Sequence, residues 1–158
     1  MATIGTVIQG RIFTALNSPT VSSQSGMTLA NWTANPHVFY GFTGMLAGRN
    51  RGRLPFIEFD VSTDGFTQNT VEGGTLVVKV TLRIHVGGRD TQAARNLAEA
   101  LTLASLAAIR SESVDNYFAL GDDSMQQIVP GPWGWVRESS LTVQLTYGRG
   151  NYEIVNFG

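Results

Sequence analysis

The sequence of 158 residues contains no cysteine, which excludes thiol catalysis and cysteine-based zinc sites. Charged residues make up 15% of the chain, against about 25% in an average soluble domain. Few charges and many glycines are typical either of a surface that a partner covers or of loop-rich β structure. Nearly all basic residues are arginines, with Lys79 the single lysine. Arginine suits interface ion pairs and phosphate contacts, although codon bias produces the same ratio.

Long apolar runs are also missing: none approaches the roughly 20 residues that a membrane-spanning helix requires. Met1–Gly5 lacks the basic region and apolar core of a secretory signal, so we expect a soluble protein folded in the cytoplasm. The net charge of −1 argues against a protein that coats DNA electrostatically. The length fits one domain, residues 1–158, whose core needs neither metals nor disulfides.

One segment, Thr75–Arg110, organises the chain. Its first part, Thr75–Val86, alternates between apolar and more polar side chains, the pattern of a strand with one buried face. Gly87 and Gly88 end the strand, and an alanine- and leucine-rich helix follows from Asp90 to Arg110. A long strand that leads into a long amphipathic helix predicts a two-layer domain.

The predicted helix is more apolar than packing on one side of a sheet requires. Ala94, Leu97 and Leu101 lie on one face, and further apolar residues widen that surface beyond a stripe. We expect a second cover, either the N-terminal helix or a neighbouring copy of the chain. If a neighbouring copy is the cover, we expect subunit contacts at the apolar residues Leu103, Leu106 and Ile109. The charged residues expected beside them are Arg95, Glu99 and, on the central strand, Arg83.

The remaining elements complete an α+β fold. The apolar spacing over residues 2–17 predicts an N-terminal helix, and residues 53–61 predict a strand that pairs antiparallel with Thr75–Val86 through a polar connection, residues 62–74. Residues 139–147 and 152–157 predict two closing strands. The expected architecture is a mostly antiparallel sheet, with an N-terminal helix and one long central helix packed on one face.

Two regions lack a clear period. Residues 18–52 predict an irregular excursion that packs either on its own domain or on a neighbouring subunit. Residues 111–136 contain a short apolar piece, an acidic turn at Asp122-Asp123 and a segment with two tryptophans, which we interpret as core or interface packing. The excursion ends in a basic cluster that favours contact with phosphates or carboxylates, or else forms a solvated turn: Arg49, Arg51 and Arg53.

Candidates for chemistry are few. Only His37 and His85 offer an imidazole, and no Gly-x-Ser-x-Gly motif accompanies them. His85 lies on the more polar face of the central strand, where a hydrogen-bonded or exposed histidine is usual. A metal site would require both histidines to converge, with no carboxylate motif nearby. We therefore expect no enzymatic activity, no catalytic residues, no cofactor and no metal.

The pattern resembles the tail terminator, or tail completion, proteins of long-tailed bacteriophages. The resemblance rests on the N-terminal helix, the strand Arg53–Phe59, the strand Gly73–Val86, the helix Asp90–Arg110 and the closing strands Ser139–Phe157. It lies in element order and character and not in a diagnostic motif, and it excludes residues 18–48.

The resemblance implies a structural virion protein, assembled in the host cytoplasm, that forms a closed ring, usually a hexamer. Such a ring caps the tail tube protein, joins it to the head connector protein, and lets DNA pass through its pore without specific binding and without any membrane contact. It places subunit contacts on the central strand and helix. Residues 18–48 or 62–74 then face the tube, and Arg49, Arg51 and Arg53 contact tube, connector or DNA. Alternatives are another neck, head-closure or tube ring protein, or an unrelated α+β binding domain.

Overall fold

A computed structural model describes residues 4–41, 54–70, 73–88, 91–111, 117–125, 127–131 and 134–148. This part of the chain forms four helices and six strands. The helices are α1 (Ile4–Leu16), α2 (Pro19–Gln24), α3 (Leu29–Ala34) and α4 (Thr91–Ser111). The strands are β1 (Val38–Tyr40), β2 (Phe56–Thr70), β3 (Gly73–Val86), β4 (Tyr117–Met125), β5 (Val129–Gly131) and β6 (Gly134–Gly148).

The strands form one sheet in the order β1-β2-β3-β6-β4, with β5 paired to β6. All pairs are antiparallel except β1 with β2, which is parallel. The predicted α+β class, with a mostly antiparallel sheet and the long helix packed on it, is confirmed. The predicted antiparallel pairing of β2 with β3 is also correct, and it begins with Phe56 opposite His85.

The alternation along β3 determines which face of the sheet is dry. Its apolar set is buried on the helix side, and the polar set lies on the other side. The strand neighbours continue the same face, because Ile57 and Phe59 of β2 and Leu141 and Val143 of β6 stand opposite the apolar residues of β3. The core residues of β3 are Val78, Val80, Leu82, Ile84 and Val86.

The second cover of α4 comes from the same chain. The helix packs against β3 and β6 on one side and against α1 and α2 on the other. Side chains from both sides of the helix are consequently buried, including Leu101, Leu106 and Ile109. Of the two covers predicted for this helix, the structure contains the N-terminal one. None of the helices in the described ranges has the length and apolar character needed to cross a bilayer.

Residues 18–41 are more regular than predicted, which corrects the expected excursion over this part. They contain α2, α3 and β1, and the buried Trp32 fastens α3 to the end of α1 because its indole N–H donates to the Leu16 carbonyl at 3.1 Å. Thr28 caps α3 by accepting from the Asn31 N–H. Residues 42–53 of the predicted excursion lie outside the described residues.

Several predicted strand limits also change. The predicted connection 62–74 is mostly strand, because β2 runs to Thr70 and β3 starts at Gly73, with irregular pairing at Thr63–Gly65. The predicted acidic turn lies within β4, where the pairing with β6 is interrupted between Leu120 and Ser124. The predicted closing strand 139–147 corresponds to β6, which starts earlier, and the strand 152–157 lies outside the described residues.

A buried polar pair links β2 to β3 on the sheet face opposite the helices. The Glu58 carboxylate accepts a hydrogen bond from Nε2 of His85 at 2.6 Å, and both side chains are buried. The Phe56 ring stacks on the His85 imidazole with 4.4 Å between centroids, and Phe39 meets Phe56 edge-on. This part of the second face is therefore dry, and its polar groups depend on one another.

We predict that Glu58 and His85 are energetically coupled. Removing either partner takes this short hydrogen bond away from a buried polar group, so Glu58→Ala or His85→Ala should each lower the free energy of unfolding by about 3 kcal/mol. The double variant should lose less than the sum, with a coupling energy of about 1–3 kcal/mol. Urea denaturation of the four proteins measures this coupling, and strictly additive losses would contradict it.

Candidate interaction surface

The two histidines are built into the fold. Nδ1 of His37 donates to the Trp32 carbonyl at 3.0 Å, and the two rings stack with 4.8 Å between centroids. His85 is held by Glu58 on a different strand. Across the described ranges, no three His, Asp or Glu side chains come close enough together to share a metal ion. The two histidines therefore contribute to the packing of α3 and of the sheet.

The outer side of α4 carries a stripe of exposed residues with mixed chemistry. Arg95, Glu99 and Leu103 follow one another at intervals of four, which places them on one line along the helix. All three are exposed, and half of the surface of Leu103 is accessible. This stripe is the part of the helix that neither the sheet nor α1 and α2 cover.

A groove of about 280 Å³ borders this stripe. Its walls are Arg95 and Glu99 from α4, Gln127 and Ile128 before β5, and Arg137 from β6. The helix and the two strands meet here because α4 packs across β6 and because β5 pairs with the start of that strand. Among the described lining residues, two guanidinium groups and one carboxylate give a mixed charge with a basic excess, beside the partly buried apolar side chain of Ile128.

The groove adds residues that the sequence analysis did not identify. Arg95 and Glu99 were predicted contacts, and the structure brings them together with Arg137, which is 42 positions away from Arg95 in the chain. The strand alternation of β6 was the available signal, since it places Arg137 on the helix side of the sheet, in line with Ser139 and Leu141. The spacing of that strand from α4 is set only by the tertiary packing.

Two predicted contact residues are corrected by their burial. Leu106 and Ile109 are almost completely inaccessible within the single chain and belong to its core, so neither can face a second copy while the chain stays folded. The prediction for these two residues was wrong because the helix is apolar on two sides. Its sequence does not show which of the two sides packs against the rest of the same chain.

Arg83 lies on the other face of the sheet and is separated from α4 by it. Its guanidinium Nε lies 3.5 Å from the Glu138 carboxylate, and both side chains are roughly half exposed. A solvent-screened pair of this kind contributes little to stability. Arg49, Arg51 and Arg53 lie outside the described residues.

The chemistry of the groove is suited to protein contacts. Charged side chains at a partly open site give orientation and selectivity, while exposed apolar side chains give contact area. The surface offers both, because half of Leu103 and half of Val129, the residue after Ile128, are exposed. No protein-family model matches the chain, and no curated protein matches it either.

We predict that aspartate is tolerated at Leu103 and not at Leu106. Leu106→Asp places an unpaired charge in the core and should lower the free energy of unfolding by at least about 3 kcal/mol. Leu103→Asp changes a half-exposed position and should cost about 1 kcal/mol, through lower helix propensity and the like charge of Glu99 one turn earlier. The two substitutions are chemically identical and lie in the same helix, so urea denaturation followed by circular dichroism shows mainly the difference in burial. Equal losses at both positions would overturn the assignment of the two sides of α4.

Proposed function

We propose that this protein is a tail terminator of a long-tailed bacteriophage, a structural virion protein that forms a closed ring at the end of the tail tube. The observation that supports this function is the order of the elements. A helix, a long antiparallel hairpin, a 21-residue helix and a closing strand occur in this chain order as α1, β2, β3, α4 and β6, with α2, α3 and β1 before the hairpin and β4 and β5 before the closing strand. The same order carries the resemblance to that family in the sequence.

The proposed mechanism is physical. Copies of the chain contact one another head to tail, so that the groove beside α4 receives a different patch of the next copy and the rotation closes the ring. One face of the ring complements the last ring of tube protein, and the other face presents a surface for the head connector protein and gives no template for further tube subunits. DNA passes through the pore. The near-neutral net charge of the chain suits passage without tight phosphate binding.

In this proposal the three residues of the exposed stripe on α4 have separate roles. Arg95 and Glu99 select the orientation of the neighbouring copy through charge, and Leu103 supplies apolar contact area. Interfaces of this mixed kind form from folded subunits, because none of these residues is needed to fill the core. The expected ring therefore assembles from stable monomers, and its assembly depends on protein concentration and on salt.

The oligomeric state tests the proposal directly. We expect purified protein to form one closed ring, hexameric by the resemblance, that mass photometry measures and negative-stain microscopy displays with a central pore. A tube subunit would instead polymerise into open-ended tubes of varying length, which would favour the alternative tube-protein function. A monodisperse monomer at all concentrations up to the millimolar range would contradict both virion functions and leave an α+β binding domain as the alternative.

We predict that charge reversal in the groove weakens the ring. Arg95→Glu should raise the concentration at which the ring dissociates by at least about tenfold, because it reverses a charge that orients the contact. Arg11→Glu makes the same change in charge on α1, outside the strand and helix expected to carry subunit contacts and away from the described groove residues, and serves as the matched control. Mass photometry over a dilution series measures both. Equal weakening by the two variants would show a dependence on net charge and not on the groove.

A further inference from the structure

A second surface lies at the opposite edge of the sheet, along β1. This strand is the first in the sheet order, and its hydrogen bonds to β2 are formed by alternate residues. The Ile57 N–H donates to the His37 carbonyl at 2.8 Å, and the Gly41 N–H donates to the Phe59 carbonyl at 2.7 Å. In an extended strand, residues between those that face one neighbour direct their N–H and C=O groups to the other side.

The backbone groups of Val38 and Tyr40 therefore point away from β2. Among the strands in the described ranges, β2 is the only one that pairs with β1, and it does so through the other edge. Natural sheets protect such edges with charges, proline or bulges within the strand. Natural sheets also keep edge strands short, and β1 has three residues, so its length is the protection that this strand has; Val38, Phe39 and Tyr40 include no charge and no proline. Their outward N–H and C=O groups form a short template for an added strand.

An apolar groove adjoins this edge on the helix side of the sheet. It has a volume of about 280 Å³ and lies between the end of α1, α3 and the start of β1. Phe13, Pro36 and Val38 give it an apolar lining, and Phe13 keeps 45% of its surface exposed although its helix neighbours Ile12 and Leu16 are buried. Its polar lining residues are Thr14, Asn17 and Thr33. The Asn17 amide donates to the Phe13 carbonyl of α1, and the Thr33 hydroxyl donates to the Leu29 carbonyl of α3.

The β1 edge is already ordered in the free protein. The Tyr40 ring meets Phe59 edge-on with 5.3 Å between centroids, and its hydroxyl donates to the Asp60 carboxylate. Burial, together with the charge of Asp60 and this hydrogen bond, raises the pKa of Tyr40. At the other end, the stacked rings of Trp32 and His37 fix the entry to β1. An ordered edge loses little conformational entropy when it pairs.

We propose that the β1 edge and its groove bind an extended peptide segment of another protein, which adds to the sheet as a short strand and inserts one bulky apolar side chain between Phe13, Pro36 and Val38. The outward backbone groups of β1, which pair with no other described strand, specify an extended backbone. The strand alternation then sends every second side chain of the segment toward the helix side, where the groove lies. This surface is separate from the groove beside α4, and the proposal does not depend on ring formation.

Hydrogen exchange measured by NMR tests the backbone part. The outward amides of Val38 and Tyr40 should exchange faster than the inward amides of Phe39 and Gly41 in the free protein. The probes are blocked hexapeptides in which threonine alternates with phenylalanine, leucine or valine. The best of them at millimolar concentration should slow exchange at Val38 and Tyr40 at least about tenfold. If no peptide of the series slows these two amides, the proposal is wrong.

N-methylated peptides distinguish binding by backbone pairing from nonspecific hydrophobic binding. A strand bonds to β1 through one of its edges only, so methylating one alternate set of amides should abolish binding, while methylating the other set should preserve it. Equal effects of both sets would overturn the added strand. Without peptide, exchange at Val38 and Tyr40 could become slower as the protein concentration rises, and sedimentation could show a dimer. These two results together would assign the edge to a second copy and would overturn the proposal of a peptide partner.

The groove is tested by removing its exposed ring. Phe13→Ser should weaken the best peptide at least about tenfold, because the inserted side chain loses its main contact surface. Leu103→Ser removes an equally exposed apolar side chain from α4 and should leave peptide binding unchanged. Circular dichroism verifies that both variants are folded. Equal peptide affinity in the two variants would contradict insertion into this groove.

Discussion

The fold depends on the burial of one face of β3. This strand lies in the middle of the sheet, between β2 and β6, and its apolar positions from Val78 to Val86 determine which side of both neighbours faces the helices. A slip of one residue in either pairing would turn the apolar set of that neighbour toward the opposite face. The helix layer and the grooves at its borders all follow from this choice.

The other face is divided between buried and exposed polar groups. Glu58 and His85 are dry and hold each other beside the ring of Phe56, whereas Arg83 and Glu138 are half exposed. The buried pair costs desolvation energy that its hydrogen bond offsets, so it is weak evidence of stability by itself. A shifted β2–β3 pairing would separate these two buried groups, so we expect the pair to favour the observed register.

The functional proposals concern the surfaces that remain exposed once the core has formed. Because α1 and α2 already cover the second side of α4, a contact between copies through this helix would use its exposed side, which carries Arg95, Glu99 and Leu103. A ring held by such mixed contacts forms and dissociates as folded subunits, unlike an obligate oligomer that shares one core. The β1 edge provides a different kind of contact, in which backbone pairing gives affinity and one pocket gives selectivity.

The local pattern of the sequence was enough to predict the α+β class, the pairing of β2 with β3, the long helix from Thr91 and most of β6. These elements are long and regularly periodic, so local burial preferences decide them. The tertiary structure alone decided that α2, α3 and β1 are regular, because short elements are stabilised by contacts such as the one from Trp32 to Leu16, 16 residues earlier. It also decided that Leu106 and Ile109 are core, and that Arg137 joins Arg95 and Glu99. A periodic pattern states which side chains avoid water, and only packing determines whether the chain itself or a partner covers them.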